Sequence, residues 1–422
     1  MSLSLQDTPS GAPSKSRLTG TLVFDIMLGL GVIAFFGMVG FAALQEVSDR
    51  NSYAALAAAW LDGRLHVDKC FDVDCVTTPD GRVWVIFPPV PALLALPFVA
   101  IFGISFSGFH VIGGMLLVLS GVLWRRNFRA LGLDDRMSTW LGAAALFGTP
   151  AIFVVLRSDL VWFFAQTVAF TLITAAIHEA LHRQRAMLIG LYIGLAFLTR
   201  QMSIFYCPLM LAMIMNPTLP TVRIDREVIM KTLRIALPVA TAIGLYFLYN
   251  YLRFGAIFET GYSFLEEPAE GIVPNDPIDN RLNTSGLFSK DYVFFNVMYL
   301  FFQGFHLQFT GDQTLTPVRL DPWGTSLLAA SPFLMIALLA PVRRELVIGW
   351  ITIAIIAGIT LFYHSNGFSQ VNGQRYTLDW LPILFLFLGY AMTQGRFEVA
   401  RLLILYALGL NAVAFGLMAV VV

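Results

Sequence analysis

Charged residues stand at the ends of apolar runs in this chain, where charge is costly unless it has a task. Asp49 follows the first such run, in QEVSDRNSYAALAAAWLDGRL, with Glu46 about one helical turn earlier. A carboxylate at a lipid–water boundary can take the proton of an attacking hydroxyl. The structural alternative is a cap for a helix over 51–61. Asp159, in LRSDLVWFF with Arg157 beside it, sits in a short turn between two apolar runs. It is read either as a contact to a substrate or as the N-cap of the following helix. Arg200 interrupts the stretch LAFLTRQMSIF; there it needs a phosphate, a polar cavity or a carboxylate partner. Arg253, Glu259 and Tyr262 fall in YNYLRFGAIFETGY, and Arg375 and Asp379 in NGQRYTLDWLP. Four residues apart on a helix, Arg375 and Asp379 would form a local ion pair. Arginines gathered in this way suit a departing phosphate, where negative charge develops.

Cys70 and Cys75 form C-x4-C in DKCFDVDCVTTPDG. A disulfide is the expected state in an oxidising compartment, and a metal site with Asp72 and Asp74 is the weaker alternative. Cys207 lies in an apolar stretch and is expected to pack as a small hydrophobe. Asp25 receives no role, and His110, His178, His182, His306 and His364 are read as scattered, with no H-E-x-x-H motif and no two at metal-ligand spacing. No Walker motif, dinucleotide fingerprint or G-x-S-x-G elbow is present. No cofactor and no metal are expected, because the carboxylates do not form a tight cluster in the sequence, although Asp49 and Asp159 could meet in space.

The elements that must hold these residues are lipid-solvated helices. Of 422 residues, 57% are hydrophobic and 13% charged, with mean hydropathy +0.72. A soluble domain carries about 25% charged residues, so this chain cannot cover itself for water. Net charge is zero, which argues against nucleic acid as a partner. Apolar runs fall near residues 21–44, 107–124, 138–156, 160–180, 236–251, 325–341, 346–363, 376–393 and 400–421, and a run over 187–215 is broken at Thr199–Gln201. The expectation is all-α: a polytopic transmembrane bundle of about eleven helices over 21–422, preceded by a disordered cytoplasmic tail over 1–20.

With the N-terminus inside, 16 of the 27 basic residues face the cytoplasm and 18 of the 27 acidic residues face outward, the sense of the positive-inside bias. That count treats residues 86–104, IFPPVPALLALPFVAIFGI, as a helix lying along the outer surface. The aromatic stretch 292–309 is read in the same way. Two large outer loops result, near 45–106 and 252–323, and the inner loops are short. Chemistry is therefore expected on the outer face.

The order and sidedness of SYAALAAAWLDGRL, DGRVWVIFPPVPALLALPFVAIFG, IGLAFLTRQ, YNYLRFGAIFETGY and NGQRYTLDWLP resemble the GT-C superfamily. The likeness is to bacterial relatives of the protein mannosyltransferase and aminoarabinose transferase group. It covers residues 21 to about 395. The resemblance implies a glycosyltransferase using a polyprenyl-phosphate-linked sugar at the extracytoplasmic face of a bacterial inner membrane. The acceptor would be a hydroxyl of a lipid, lipopolysaccharide, polysaccharide or protein. It also implies Asp49 as the catalytic carboxylate, with Glu46, Asp159, Arg200, Arg253, Glu259, Tyr262, Arg375 and Asp379 as substrate contacts. Many relatives have a second acid after the first, where this chain has Arg50, so Asp49 and Glu46 both stand as candidate bases. The alternative is a transporter or flippase of a lipid-linked or anionic solute, which would use the same arginines in a central cavity.

Overall fold

The structure, a computed structural model, describes residues 75–215, 225–264, 284–311, 315–321, 323–365, 373–395 and 397–421, most of 26–71, and residue 281. It is mostly helical. In chain order the elements are α1 (Gly29–Ala43), α2 (Ser52–Leu61), β1 (Cys75–Thr77), β2 (Val83–Val85), α3 (Val90–Phe102), α4 (Phe109–Ala130), α5 (Asp135–Phe147) and α6 (Ala151–Val155). Then follow α7 (Val161–His182), α8 (Ala186–Phe197), α9 (Cys207–Ile214), α10 (Arg226–Phe254) and α11 (Val293–Val297). The chain continues with β3 (Leu307–Thr310), β4 (Thr316–Leu320), α12 (Leu327–Ala330), α13 (Arg344–Phe362), α14 (Leu381–Met392) and α15 (Phe397–Val421).

Among the described residues, five helices are long and apolar enough to cross a membrane: α4, α7, α10, α13 and most of α15. The other apolar runs are shorter because they break. Pro150 ends α5 and starts α6, and the carbonyls it frees must find donors inside an apolar bundle. Asn411 Nδ2 donates to Phe147 O at 2.6 Å, and Ser331 Oγ donates to Gly148 O at 2.6 Å. Ser331 itself separates α12 from a 3₁₀ turn over Pro332–Leu339. The break expected at 199–201 is present. α8 stops at Phe197, Arg200 is extended, and a 3₁₀ turn over Gln201–Tyr206 leads into α9.

Residues 86–104 hold no helix long enough to cross a membrane by itself. α3 has 13 residues, about 20 Å of rise against a hydrocarbon core of roughly 30 Å. Ala92, Ala95 and Val99 are buried, and α3 packs against α2. Leu93, Phe98, Ile101 and Phe102 point outward. The helical expectation holds for most of the chain, with two short two-stranded antiparallel ribbons, β1–β2 and β3–β4, added to it. The 292–309 stretch, expected as one interfacial helix, divides into α11, a π-helical turn over Met298–Phe302 and β3.

Close packing relies on small residues, the usual device where lipid offers no hydrophobic drive. A Cβ on Gly190 of α8 would strike the backbone of Ile235 in α10, and one on Gly194 would meet Pro238 O at 3.1 Å. Polar side chains form a seam between α4 and α7. Ser120 Oγ donates to Thr171 Oγ1 (3.0 Å) and Trp124 Nε1 to Thr174 Oγ1 (3.1 Å), and Asn127 Oδ1 lies 2.7 Å from His178 Nδ1. Because backbone cannot yield as a side-chain tip can, Gly190→Ala is expected to force α8 from α10. The expected cost is about 1–3 kcal/mol, read as a lower melting temperature of the detergent-solubilised chain.

Candidate functional site

The break at Arg200 and the start of α14 are joined by an ion pair. Arg200 is extended because α8 has ended, and its side chain reaches a 3₁₀ turn over Arg375–Asp379. Arg200 Nε and Nη2 each donate to the Asp379 carboxylate at 2.7 Å, a bidentate pair. Gln166 Nε2 of α7 donates to the same carboxylate at 2.9 Å, and Tyr206 O–H donates to the Asp379 carbonyl at 2.9 Å. The Asp379 side chain is 6% exposed and that of Arg200 20%. Asp379 thus pairs with Arg200, and the local pair with Arg375 that the sequence spacing suggests does not form.

A line of cations and rings runs outward from this pair. Arg200 lies over Tyr376 at 5.1 Å, Arg375 over Tyr376 at 4.9 Å and over Phe163 at 5.2 Å, and Arg157 over Phe163 at 5.3 Å. Ring faces are negative, so they allow guanidinium groups to stand close. On the far side of Arg375 is His364, whose carbonyl accepts from Arg281 Nη1 at 3.1 Å. Arg281 lies over Phe295 at 4.4 Å. Burial, then the charges of Arg281 and Arg375, push the His364 imidazole down to about 4. Its buried Nδ1 has no hydrogen-bond partner among the described residues.

The carboxylates meet at the other end of the line. Glu46, which follows α1, accepts from Phe109 N (3.0 Å) and His110 N (3.1 Å) at the first turn of α4, and contacts His110 Nδ1 at 2.7 Å. Its side chain is 2% exposed. His110 Nε2 lies 3.1 Å from Leu156 O and 3.4 Å from Asp159 Oδ1. Both ring nitrogens face acceptors, so the ring is held as a double donor between two carboxylates. Burial works to raise the Asp159 carboxyl, but His110 and Arg157 outweigh it and hold the group below its usual range. The Asp159 side chain is 40% exposed and can meet a ligand.

Asp49 lies outside the described residues. Its neighbour Asn51 caps α2: Oδ1 accepts from Tyr53 N at 2.9 Å while Nδ2 donates to Asp159 O at 2.7 Å. The cap that Asp49 could have supplied is therefore Asn51's, and α2 is tied directly to the Asp159 turn. Asp159 does not cap α7 either, since the N-cap is Leu160 without a side-chain bond.

Arg253 is buried at the end of α10, where Nη1 donates to Val85 O and Nη2 to Asn250 Oδ1, both at 2.8 Å. It holds β2 against α10. Glu259 accepts from Gly261 N (2.6 Å) and Ser263 Oγ (2.7 Å), shaping its own loop. Tyr262 packs on Val76, Trp84 and Ile86, within electrostatic reach of Arg200. Cys75 is disulfide-bonded and Cys207 is free; Cys70 lies outside the described residues. The sequence reading missed His110, Gln166, Arg281 and His364. Polar side chains at the rims of α4, α7 and α13 were the available signal. The expectation that no H-E-x-x-H motif is present and that no two histidines stand at ligand spacing is also corrected: HEALH at 178–182 puts two histidines at helical i,i+4 spacing.

No protein-family model matches the chain, and neither a curated protein nor a solved structure does.

Removing one partner of a buried pair leaves a charge uncompensated. Asp379→Asn is expected to cost about 3 kcal/mol, seen as a lower melting temperature, with Arg200→Gln in the same chain recovering part of the loss. The sign of acid sensitivity follows from His364. Unfolded it binds a proton near 6.5, whereas folded it refuses one until about 4. Stability should fall as pH drops through that window and stay level above it. Replacing His364 with Gln should flatten that part of a melting-temperature profile.

Proposed function

We propose that the chain is a GT-C-type membrane glycosyltransferase. It moves a sugar from a polyprenyl-phosphate donor to a hydroxyl acceptor at the extracytoplasmic face of a bacterial inner membrane. Asp49 takes the proton from the acceptor hydroxyl, whose oxygen attacks the anomeric carbon. The bond from that carbon to the phosphate oxygen breaks, and the polyprenyl phosphate leaves with the electron pair. Arg375, Arg281 and His364 stabilise the departing phosphate, acting where charge develops. Arg200 and Asp379 position Arg375, and Asp159 orients the acceptor or the sugar. Glu46, with both oxygens engaged at the start of α4, serves as a positioning residue.

The observation that carries this reading is the convergence of exposed and buried cations with carboxylates at one end of the bundle. Arg157, Arg375 and Arg200 share the faces of Phe163 and Tyr376, and Asn51 joins the Asp159 turn to α2. A phosphoester and a hydroxyl brought to such a site would find the charges each needs. The transport reading draws on another observation: the broken segments at Gly148 and Ser331 pack on one another through a hydrogen bond. Paired discontinuous helices line the sites of many transporters.

Purified chain in proteoliposomes, supplied with radiolabelled polyprenyl-monophosphate sugars and a hydroxyl acceptor, separates the two. Covalent transfer is expected. It should fall at least about 100-fold in Asp49→Asn, the range for loss of a general base, while donor binding survives. Donor that crosses the bilayer without any transfer of label would overturn the enzyme reading in favour of transport.

A further inference from the structure

The opposite end of α7 carries a second set of chemistry-bearing side chains, unrelated to the site above. α7 closes with His178-Glu179-Ala180-Leu181-His182, the H-E-x-x-H spacing that puts two imidazoles on one helix face. The two rings stand 3.9 Å apart between centroids, inclined at 36°. Asp159 and His182 lie at opposite ends of this 22-residue helix, separated by about 33 Å of rise.

Hydrogen bonds fix which nitrogen of each ring is available. His182 Nδ1 lies 2.8 Å from the His178 carbonyl oxygen, and a carbonyl can only accept. His182 Nδ1 therefore carries the proton, and Nε2 keeps its lone pair. His178 Nδ1 lies 2.7 Å from Asn127 Oδ1, the last rung of the α4–α7 polar seam, with the same consequence. A metal-ligating histidine is held in this way, its second nitrogen donating to a carbonyl or carboxylate that sets tautomer and ring orientation. His182 is exposed, so an ion can reach the pair. Of the charged neighbours, Glu179 favours a cation, and Arg126 on α4 is exposed and free to turn into solvent.

We propose that His178 and His182 form a binding site for a first-row divalent transition ion of the Zn2+ or Cu2+ class, held through the two Nε2 atoms. The open coordination positions take water. Imidazole nitrogens suit these ions and not Mg2+ or Ca2+. The site does not extend to peptide hydrolysis. Glu179, the base of that chemistry in H-E-x-x-H enzymes, is held by Arg185 through the backbone N–H (3.1 Å), Nε (2.9 Å) and Nη2 (2.7 Å). Among the described residues no group of three His, Cys, Asp or Glu side chains forms. An ion here joins the last turn of α7 across Asn127 to α4, and by mass action it stabilises the fold that binds it.

The test uses the full chain purified without a polyhistidine tag and stripped with chelator. Titration with CuCl2 should give a saturable electron paramagnetic resonance signal with coupling to two imidazole nitrogens. ZnCl2 should raise the melting temperature and compete for the same site. His182→Ala, at an exposed position, should abolish both the two-nitrogen signal and the Zn2+ shift while the unliganded melting temperature is kept. His178→Gln should do the same to binding. Wild type and His182→Ala binding Cu2+ with the same spectrum and affinity, or no saturable binding by wild type, would overturn the proposal.

Discussion

The bidentate pair between Arg200 and Asp379 is the interaction on which the arrangement depends. It joins a break in one apolar segment to the entry of another, 179 residues later. Neither charge could remain at that depth alone, because desolvation of an unpaired ion costs several kcal/mol. Gln166 and Tyr206 supply the remaining hydrogen bonds, so the carboxylate and its backbone are satisfied together. Tyr376 and Arg375 belong to the same 3₁₀ turn as Asp379. Fixing the aspartate therefore also fixes the outward line of guanidinium groups and rings.

The same logic governs the other discontinuities. Backbone freed within an apolar bundle must be satisfied by protein groups, and Asn411 and Ser331 do this for the α5–α6 break. Glu46 plays the corresponding part at the start of α4, where its carboxylate meets two backbone N–H groups. An anion at a helix N-terminus is favoured by the dipole and by the unpaired donors there. This use of Glu46 leaves Asp49 as the carboxylate assigned to chemistry in the proposed reaction.

Much of this was legible in the residues themselves. Composition pointed to long apolar helices, and five such helices form among the described residues; the cost of Arg200 marked the break that α8 and α9 form. The Pro-rich start and the Gly103 break of 86–104 suited a surface helix better than a span, and α3 is 13 residues long. Partners were less legible. Asp379 stands four residues from Arg375, but a 3₁₀ turn repeats every three residues, so the two do not share a face and Asp379 was free to meet Arg200. Among the described residues five helices are long enough to span and the other apolar runs are shorter, because an apolar run records burial and says nothing of where Pro150 or Ser331 interrupts the hydrogen bonding. Arg281 and His364 escaped notice because only the folded loops bring them to Arg375.

The account requires every member of the Arg200 line to lie on the non-cytoplasmic side, with the His182 end of α7 opposite. Impermeant-maleimide labelling of single cysteines in intact cells tests this directly, with native Cys207 replaced by Ser. The exposed positions Arg157 and Arg319 report one end, and Arg129 and Gln184 the other. Cysteines at 157 and 319 should react in intact cells, and those at 129 and 184 only after permeabilisation. Labelling of 157 and 129 from the same side, or the reverse pattern, would contradict the account.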